Sequence, residues 1–211
     1  MIMHDEYNFF SLAAMTVFIS FLGFLVEDLW LALTKGYIDN RNMRLPFLLG
    51  YGIAVMGMYV FFGTPDEIVI LGKWKLEGDG KWFYYMLSVL LVSVGEILLG
   101  SFVKSVFGFD YWNYEWIPFH LTKYTSLPTS LLFGGLITLF MEHIFTPLME
   151  LFQDRESMMG NILLLILLFA CVLDFFVSFH TMHESRSLNE RWRIERSADT
   201  GHRCHVGYVQ K

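Results

Sequence analysis

Polar and apolar positions in this chain do not alternate with a short period; they fall into long blocks. Five apolar blocks stand out, roughly Phe9 to Leu33, Phe47 to Phe62, Trp82 to Phe107, Leu127 to Phe152 and Met159 to Phe179. About 20 mainly apolar helical residues cross the roughly 30 Å hydrocarbon core of a bilayer, so each block is predicted to be a membrane helix. The second is the shortest and carries Gly50, Gly52 and Gly57, which predicts a tilted or partly re-entrant span. Ile68 to Leu71 is apolar but too short to cross and reads as a loop or a surface turn of helix. The pattern predicts an all-α polytopic membrane helix bundle of about five transmembrane helices over residues 1–180, followed by a polar tail over 181–211. Within that tail, Ser187 to Arg196 reads either as a mobile terminus or as a short basic helix laying Trp192 against an anionic leaflet.

Composition agrees with the pattern. Of the 211 residues 55% are apolar, 18% aromatic and only 17% charged, against about 25% charged in a soluble domain. The segment before the first block has no Lys or Arg and no evident cleavage site, so that block is expected to remain as a span. A net charge of −6 and the lack of basic clusters among stacking aromatics argue against a nucleic-acid partner. Cys171 and Cys204 are too few and too differently placed for a disulfide framework.

Lysine and arginine set the expected orientation. Eleven of the fifteen fall in the first interhelical loop, at the end of the third block (Lys104), in the connector after it and in the tail; four fall in the other loops. The N-terminus is therefore expected outside and the C-terminus in the cytoplasm, in a multi-pass protein of a bacterial inner membrane.

Charged or ionisable residues placed well inside the apolar blocks are Glu27, Asp28, Glu96, Glu142, His143 and Asp174. A charge at mid-bilayer costs at least about 2.5–3.5 kcal/mol, so each needs a reason to be there. Glu27 and Glu96 are expected to face one polar cavity in the cytoplasmic half, with Arg41 or Arg44 near its mouth. The carboxylates would then bind a cation, relay protons, or pair with arginine around an anionic substrate. Alternatively they form buried helix-to-helix hydrogen bonds without a transport role. Gly23 and Gly100 stand one turn from Glu27 and Glu96 and would let neighbouring helices approach.

The connector carries Tyr111, Trp112, Tyr114 and Trp116. These read as an interfacial aromatic belt, or, for Trp112 and Tyr114, as the lining of a substrate entrance. His202-Arg203-Cys204-His205 lacks metal-site spacing, and no metal or cofactor is expected. The sequence contains no Gly-x-x-x-x-Gly-Lys-Ser/Thr phosphate loop, so an ATPase of that kind would have to be a separate subunit.

Several stretches resemble the bacterial integral-membrane family labelled putative ABC-transporter type IV, the CmpB-like proteins. They are Asn40-Arg41, Leu45-Pro46, Tyr51-Gly52, Glu96, Phe107-Gly108, Tyr111-Trp112-Asn113-Tyr114 and Ile117-Pro118-Phe119-His120-Leu121, over roughly Gly23 to Leu151. The family usually shows Arg-Gly-Phe-Leu-x-Gly-Pro after the first span, where this chain has Arg41-Asn42-Met43-Arg44-Leu45-Pro46, and Trp-Asp-Tyr where it has Trp112-Asn113-Tyr114. The resemblance implies a permease-like transporter component of unknown substrate, embedded among membrane lipids, with a separate ATPase subunit and self-association as possible partnerships. A membrane enzyme acting at the cytoplasmic leaflet through Glu27 or Glu96, and a non-catalytic membrane partner or sensor, are the alternatives.

Overall fold

The computed structural model describes residues 7–70, 74–76, 80–195 and 205–208. Four helices are long and apolar enough to span a membrane: α1 (Phe9–Thr34), α3 (Lys81–Phe107), the composite Leu127–Asp154, and α6 (Met158–Ser185). A fifth, α2 (Leu49–Phe62), has 14 residues, about 21 Å at 1.5 Å per residue. The all-α membrane bundle is thus the observed architecture. Among the described residues, strands occur only as short pieces in the loops: β1 (Tyr37–Asp39), β2 (Val69–Ile70), β3 (Trp74–Lys75), β4 (His120–Thr122), β5 (Thr125–Ser126), β6 (Trp192–Glu195) and β7 (His205–Tyr208). The chain divides into two compact units, residues 1–12 with 55–156, and residues 13–54 with 157–211.

In the first unit, α3 and the composite helix pack antiparallel through small and hydroxyl side chains. Ser93 Oγ donates to Ser130 Oγ at 2.9 Å and Thr138 Oγ1 to Ser88 Oγ at 3.4 Å. A Cβ on Gly134 would fall 2.6 Å from Val89 Cγ2. This is how helices approach in lipid, where hydrophobicity does not drive them together. The composite helix begins at α4 (Leu127–Phe140), where Ser126 Oγ caps the Thr129 N–H. It passes through a π turn (Met141–Phe145) into α5 (Thr146–Asp154). Pro147 accounts for the widened turn: it has no N–H to give, and its ring would crowd the carbonyl of His143 four residues back. Met141, Phe145 and Met149 stay fully buried through the change of pitch, with the Phe145 ring 4.6 Å from that of Tyr59. Glu142 accepts from Lys81 Nζ at 2.5 Å. It therefore lies level with the first residue of α3, at one end of that span.

Of Ile68 to Leu71, expected as a loop or a surface turn of helix, the described residues 68–70 take an extended course. Val69 and Ile70 pair with Lys75 and Trp74 as a two-residue antiparallel ladder. The β-branched pair prefers an extended edge to a lone helical turn.

The connector between α3 and α4 folds around Asp110. Its carboxylate accepts from Lys123 Nζ (2.8 Å), Tyr124 hydroxyl (3.0 Å) and Lys104 Nζ (3.4 Å). The Tyr124 ring lies over Gly100, where no Cβ would fit. Trp112 Nε1 donates to the Tyr124 carbonyl at 2.8 Å, and Tyr114 is buried. Of the expected aromatic belt, Trp116 is the member that stands out from the surface, beside Phe119 and Leu121. Trp112 and Tyr114 build the inside of the connector instead.

The Lys123 ammonium, with help from Tyr124 and Lys104, holds the Asp110 carboxyl below the usual 3.8, and the same contact raises Lys123 above 10.5. For the acid the folded-state pKa is depressed, so its contribution is present above the unfolded value and lost as pH falls through the folded one. For the lysine it is raised, so the contribution is lost as pH rises through the folded value. Near-ultraviolet circular dichroism of the connector aromatics should therefore be flat from about pH 5 to 9 and change below about 4 and above about 10.5. Asp110→Asn should remove the acidic limb. The Asp110 and Lys123 side chains are about one-third exposed, so solvent screening keeps the effect small.

In the second unit, α6 shows lipid and protein faces in helical register. Ile162, Ile166, Phe169, Leu173 and Phe176 are exposed, while Cys171, Asp174, Ser178 and Met182 are buried. The helix runs on to Ser185, past the expected end near Phe179, and stops at Arg186 in a left-handed conformation (φ 52°). The chain then returns as β6, which pairs antiparallel with β1: Tyr37 with Glu195, Ile38 with Ile194, Asp39 with Arg193. In place of the expected mobile terminus or short basic helix around Trp192, residues 192–195 form this strand. Docked on β1, the segment satisfies its backbone groups by a ladder rather than by a helix. Beyond it, 202–204 of the His/Cys tail lie outside the described residues.

Candidate functional site

The second apolar block, expected over Phe47 to Phe62, is helical as α2 from Leu49; what the sequence does not disclose is the path of the polar segment before it. α1 ends at Gly36 (φ 75°), whose N–H bonds the Leu31 carbonyl at 3.0 Å. The chain then turns back along α1 without forming helix until Leu49. Asp39 meets Asp28, Arg41 meets Glu27, Leu48 meets Ser20, and Gly52 meets Thr16. Glu27 lies about 10 Å and Ser20 about 21 Å from the α1 end at Thr34, at 1.5 Å per residue. Non-helical backbone thus runs alongside half of a membrane-span-length helix. The sequence accounts for it. Asp39, Asn40 and Asn42 compete for backbone groups, Arg41 and Asn42 adopt left-handed φ values of 44° and 63°, and Pro46 disfavours helix at the residue before it.

Backbone at such depth has to be satisfied by protein, and acidic side chains do much of it here. Asp28 Oδ1 accepts from the Asp39 N–H at 3.3 Å, and Asp39 Oδ1 from the Arg41 N–H at 2.7 Å. Asp174 accepts from the N–H of Arg44 at 3.0 Å and of Leu45 at 2.8 Å, and from Ser178 Oγ at 3.2 Å. The Leu48 N–H reaches the Ser20 carbonyl at 2.9 Å. Asp28 and Asp174, read from sequence only as charges inside spans, are holders of an unwound segment.

Glu27 is different, because the bonds it accepts come from side chains. Its Oε2 receives Arg41 Nη2 at 3.1 Å, and its Oε1 receives the Tyr51 hydroxyl. The Arg41 fork also reaches Asp39 Oδ1 through Nη1 at 3.6 Å. The pair is well enclosed, with side chains 12% and 18% exposed for Arg41 and Glu27. Two glycines position it. Gly23 receives the Tyr51 ring, since a Cβ added there would lie only 2.7 Å from Tyr51 Cβ, and Gly52 lies where any Cβ would collide with the Thr16 carbonyl and Ser20 Oγ. Bare backbone at both positions brings the start of α2 onto α1, so the Tyr51 hydroxyl reaches one turn along to Glu27.

Of the residues singled out from sequence, Glu27 and Arg41 come together. Arg44 is held through its main chain by Asp174 while its side chain is exposed. Glu96 lies in the other unit, half-buried on the α3 face that carries Ser93, Gly100 and Val103, with Oε2 enclosed. Trp112 and Tyr114 belong to the connector core. Sequence reasoning missed Tyr51, Asp39, Asn40 and Asn189. Tyr51 and Asn40 had a signal, since both fall in the stretches that carry the family resemblance; Asp39 and Asn189 had none.

Four span-length apolar helices define a multi-pass membrane protein. The chain belongs to the family described as Putative ABC-transporter type IV (ABC_trans_CmpB), whose model matches residues 14–179. The match covers both the unwound segment and the connector. No curated protein and no solved structure matches the chain.

Proposed function

We propose that this chain is the membrane component of a transporter, with the Glu27–Arg41–Tyr51 cluster as the polar point on the path of a substrate or coupling ion. The observation that carries the reading is the non-helical segment between α1 and α2, which lies along α1 and brings Arg41 to Glu27. Transporters commonly place binding sites at discontinuous helices, where freed backbone and charges meet at membrane depth. Glu27 can exchange partners without releasing any main-chain bond, because both its donors are side chains. A carboxylate, a guanidinium and a phenol suit a proton or a small cation that competes with Arg41. They equally suit an anion that draws Arg41 away. In this reading Glu27 alone supplies the carboxylate that the sequence assigns jointly to Glu27 and Glu96.

The test is reconstitution of the purified chain in vesicles containing a pH-sensitive dye, alongside mild-detergent purification from its native membrane. A co-purifying nucleotide-binding subunit, and ion or proton flux reduced at least tenfold in Glu27→Gln, are expected. Flux unchanged in Glu27→Gln would remove Glu27 from the path, and a chain that turns over a lipid unaided would replace the reading with an enzyme. The proposed orientation puts the N-terminus outside a bacterial inner membrane and the tail in the cytoplasm. Cysteines introduced at Asp66 and at Glu184 should then react with impermeant reagents from opposite sides, Asp66→Cys from outside. Labelling of both from one side would overturn it.

A further inference from the structure

The unwound segment is held from two directions. One set of anchors, Asp28, Asp174 and Ser20, comes from spans. The other comes from a polar stretch more than a hundred residues later. Asn40 Nδ2 donates to the Asn189 carbonyl at 2.9 Å, Asn189 Nδ2 donates to the Asn42 carbonyl at 3.3 Å, and Asn40 Oδ1 accepts from the Arg191 N–H at 2.8 Å. Asn40, Asn42 and Asn189 are all buried. The strand ladder of β1 with β6 continues this clamp, and the Arg193 guanidinium lies 3.6 Å from the centre of the Tyr37 ring. All of these bonds flank Arg41, yet none of them reaches Arg41's side chain or Glu27.

We infer that residues 187–195 form a detachable strap that covers the unwound segment and holds Arg41 against Glu27. The inference rests on the transporter reading for its purpose, but not for its geometry. Three features make the strap detachable rather than a fixed part of the bundle. Its link to α6 is the left-handed Arg186 followed by residues outside any helix or strand, so it can swing without unwinding the helix. Its ladder to β1 is three residues long, marginal by itself, and its other ladder, to β7, lies on the far side of β6 and leaves with it. The anchors from the spans stay in place when it leaves, so the segment loses its cover without losing its path. Asn40 and Asn42 would then present their backbone and amide groups to water, and the Arg41–Glu27 pair would be reached from the tail side. The strap is thus a positioning element for the pair, and Asn189 is its central residue.

Met43 follows Asn42, whose carbonyl the strap's Asn189 holds, and is buried, which makes it a reporter. The full-length protein in vesicles would carry Met43→Cys in a background of Cys171→Ala and Cys204→Ser, and be labelled by a water-soluble maleimide. Labelling should be slow in that protein, faster with Asn189→Ala, and at least about tenfold faster in a chain ending after Leu188, as losing several hydrogen bonds raises the open population by that order. Restoring the clamp with a disulfide between Ile38→Cys and Ile194→Cys, with Met43 then read by protection from a methionine oxidant, should suppress the exposure. A second reporter, Ser88→Cys in the other unit, should stay protected throughout. Equal labelling of Met43→Cys with and without the strap would overturn the proposal. Simultaneous exposure of Ser88→Cys would also overturn it, because the segment would then be an integral part of the fold. Neither readout requires transport, so a strap that detaches as described stands even if Glu27→Gln leaves flux unchanged.

Discussion

Replacing Asp174 by alanine is expected to lower the stability of the protein by about 3 kcal/mol, the largest effect of any single carboxylate substitution in the spans. Two main-chain donors, the N–H groups of Arg44 and Leu45, point at this carboxylate, and Ser178 Oγ joins them. Each donor left buried without an acceptor costs roughly 1–3 kcal/mol, and at this depth water does not easily replace the lost partner. Asp174→Asn should fall between the two, since its single carbonyl oxygen can face the main-chain donors or Ser178 but not both sets. Glu142→Gln is the useful contrast. Lys81, its partner, is half-exposed at the start of α3, so the loss there should stay near the roughly 1 kcal/mol of an accessible ion pair. Thermal unfolding in one detergent, followed by tryptophan fluorescence, gives the order Asp174→Ala, Asp174→Asn, Glu142→Gln. An Asp174→Ala protein as stable as Glu142→Gln would show that the unwound segment finds other acceptors.

What the sequence discloses and what it hides follow from the same physics. Span-length apolar blocks are a one-dimensional signal, and their ends at Phe9, Phe107 and Leu127 agree with the helices of the structure. The polar segment between α1 and α2 is a different case. It reads as a loop, and where its backbone runs depends on which groups accept its N–H bonds. Those acceptors, Asp28 and Asp174, stand on other elements. A charge in a span announces only that it has a partner, not which one. Asp174 therefore looks the same in sequence as Glu27, although one holds main chain and the other side chains. The strap is hidden for a related reason. A ladder of three residues between Tyr37 and Glu195 leaves no periodicity, and the basic residues around Trp192 suggest a leaflet instead. The missing glycines of the Arg-Gly-Phe-Leu-x-Gly-Pro pattern are partly explained. Asn42 takes a left-handed φ of 63°, and asparagine is among the residues that tolerate that region best after glycine. Asn42→Gly should accordingly be tolerated, whereas a β-branched residue there should not.

The Arg41–Glu27 pair offers the sharper test of whether the enclosed charges work together. Arg41→Met is expected to cost about 2–3 kcal/mol, because it leaves Glu27 and Asp39 facing a site without their shared cation, and breaking an enclosed pair from one side is expensive. The figure is set below that for full burial because both side chains retain some solvent. Glu27→Gln should cost less, about 1 kcal/mol, since the amide oxygen still accepts a hydrogen bond and Arg41 keeps Asp39. The double substitution should then be milder than the sum by about 1–2 kcal/mol, the coupling expected of groups in direct contact. Arg41→Lys separates charge from shape. It preserves the cation but not the fork that spans Glu27 Oε2 and Asp39 Oδ1, so it should recover only part of the loss. Tyr51→Phe adds a third corner, removing one donor to Glu27 while keeping the ring seated over Gly23. A cycle in which Arg41→Met and Glu27→Gln simply add would mean that the two charges are independently solvated. If instead they couple and Glu27→Gln also abolishes flux, the bond that steadies the unwound segment is the same bond that a passing ion or substrate must break.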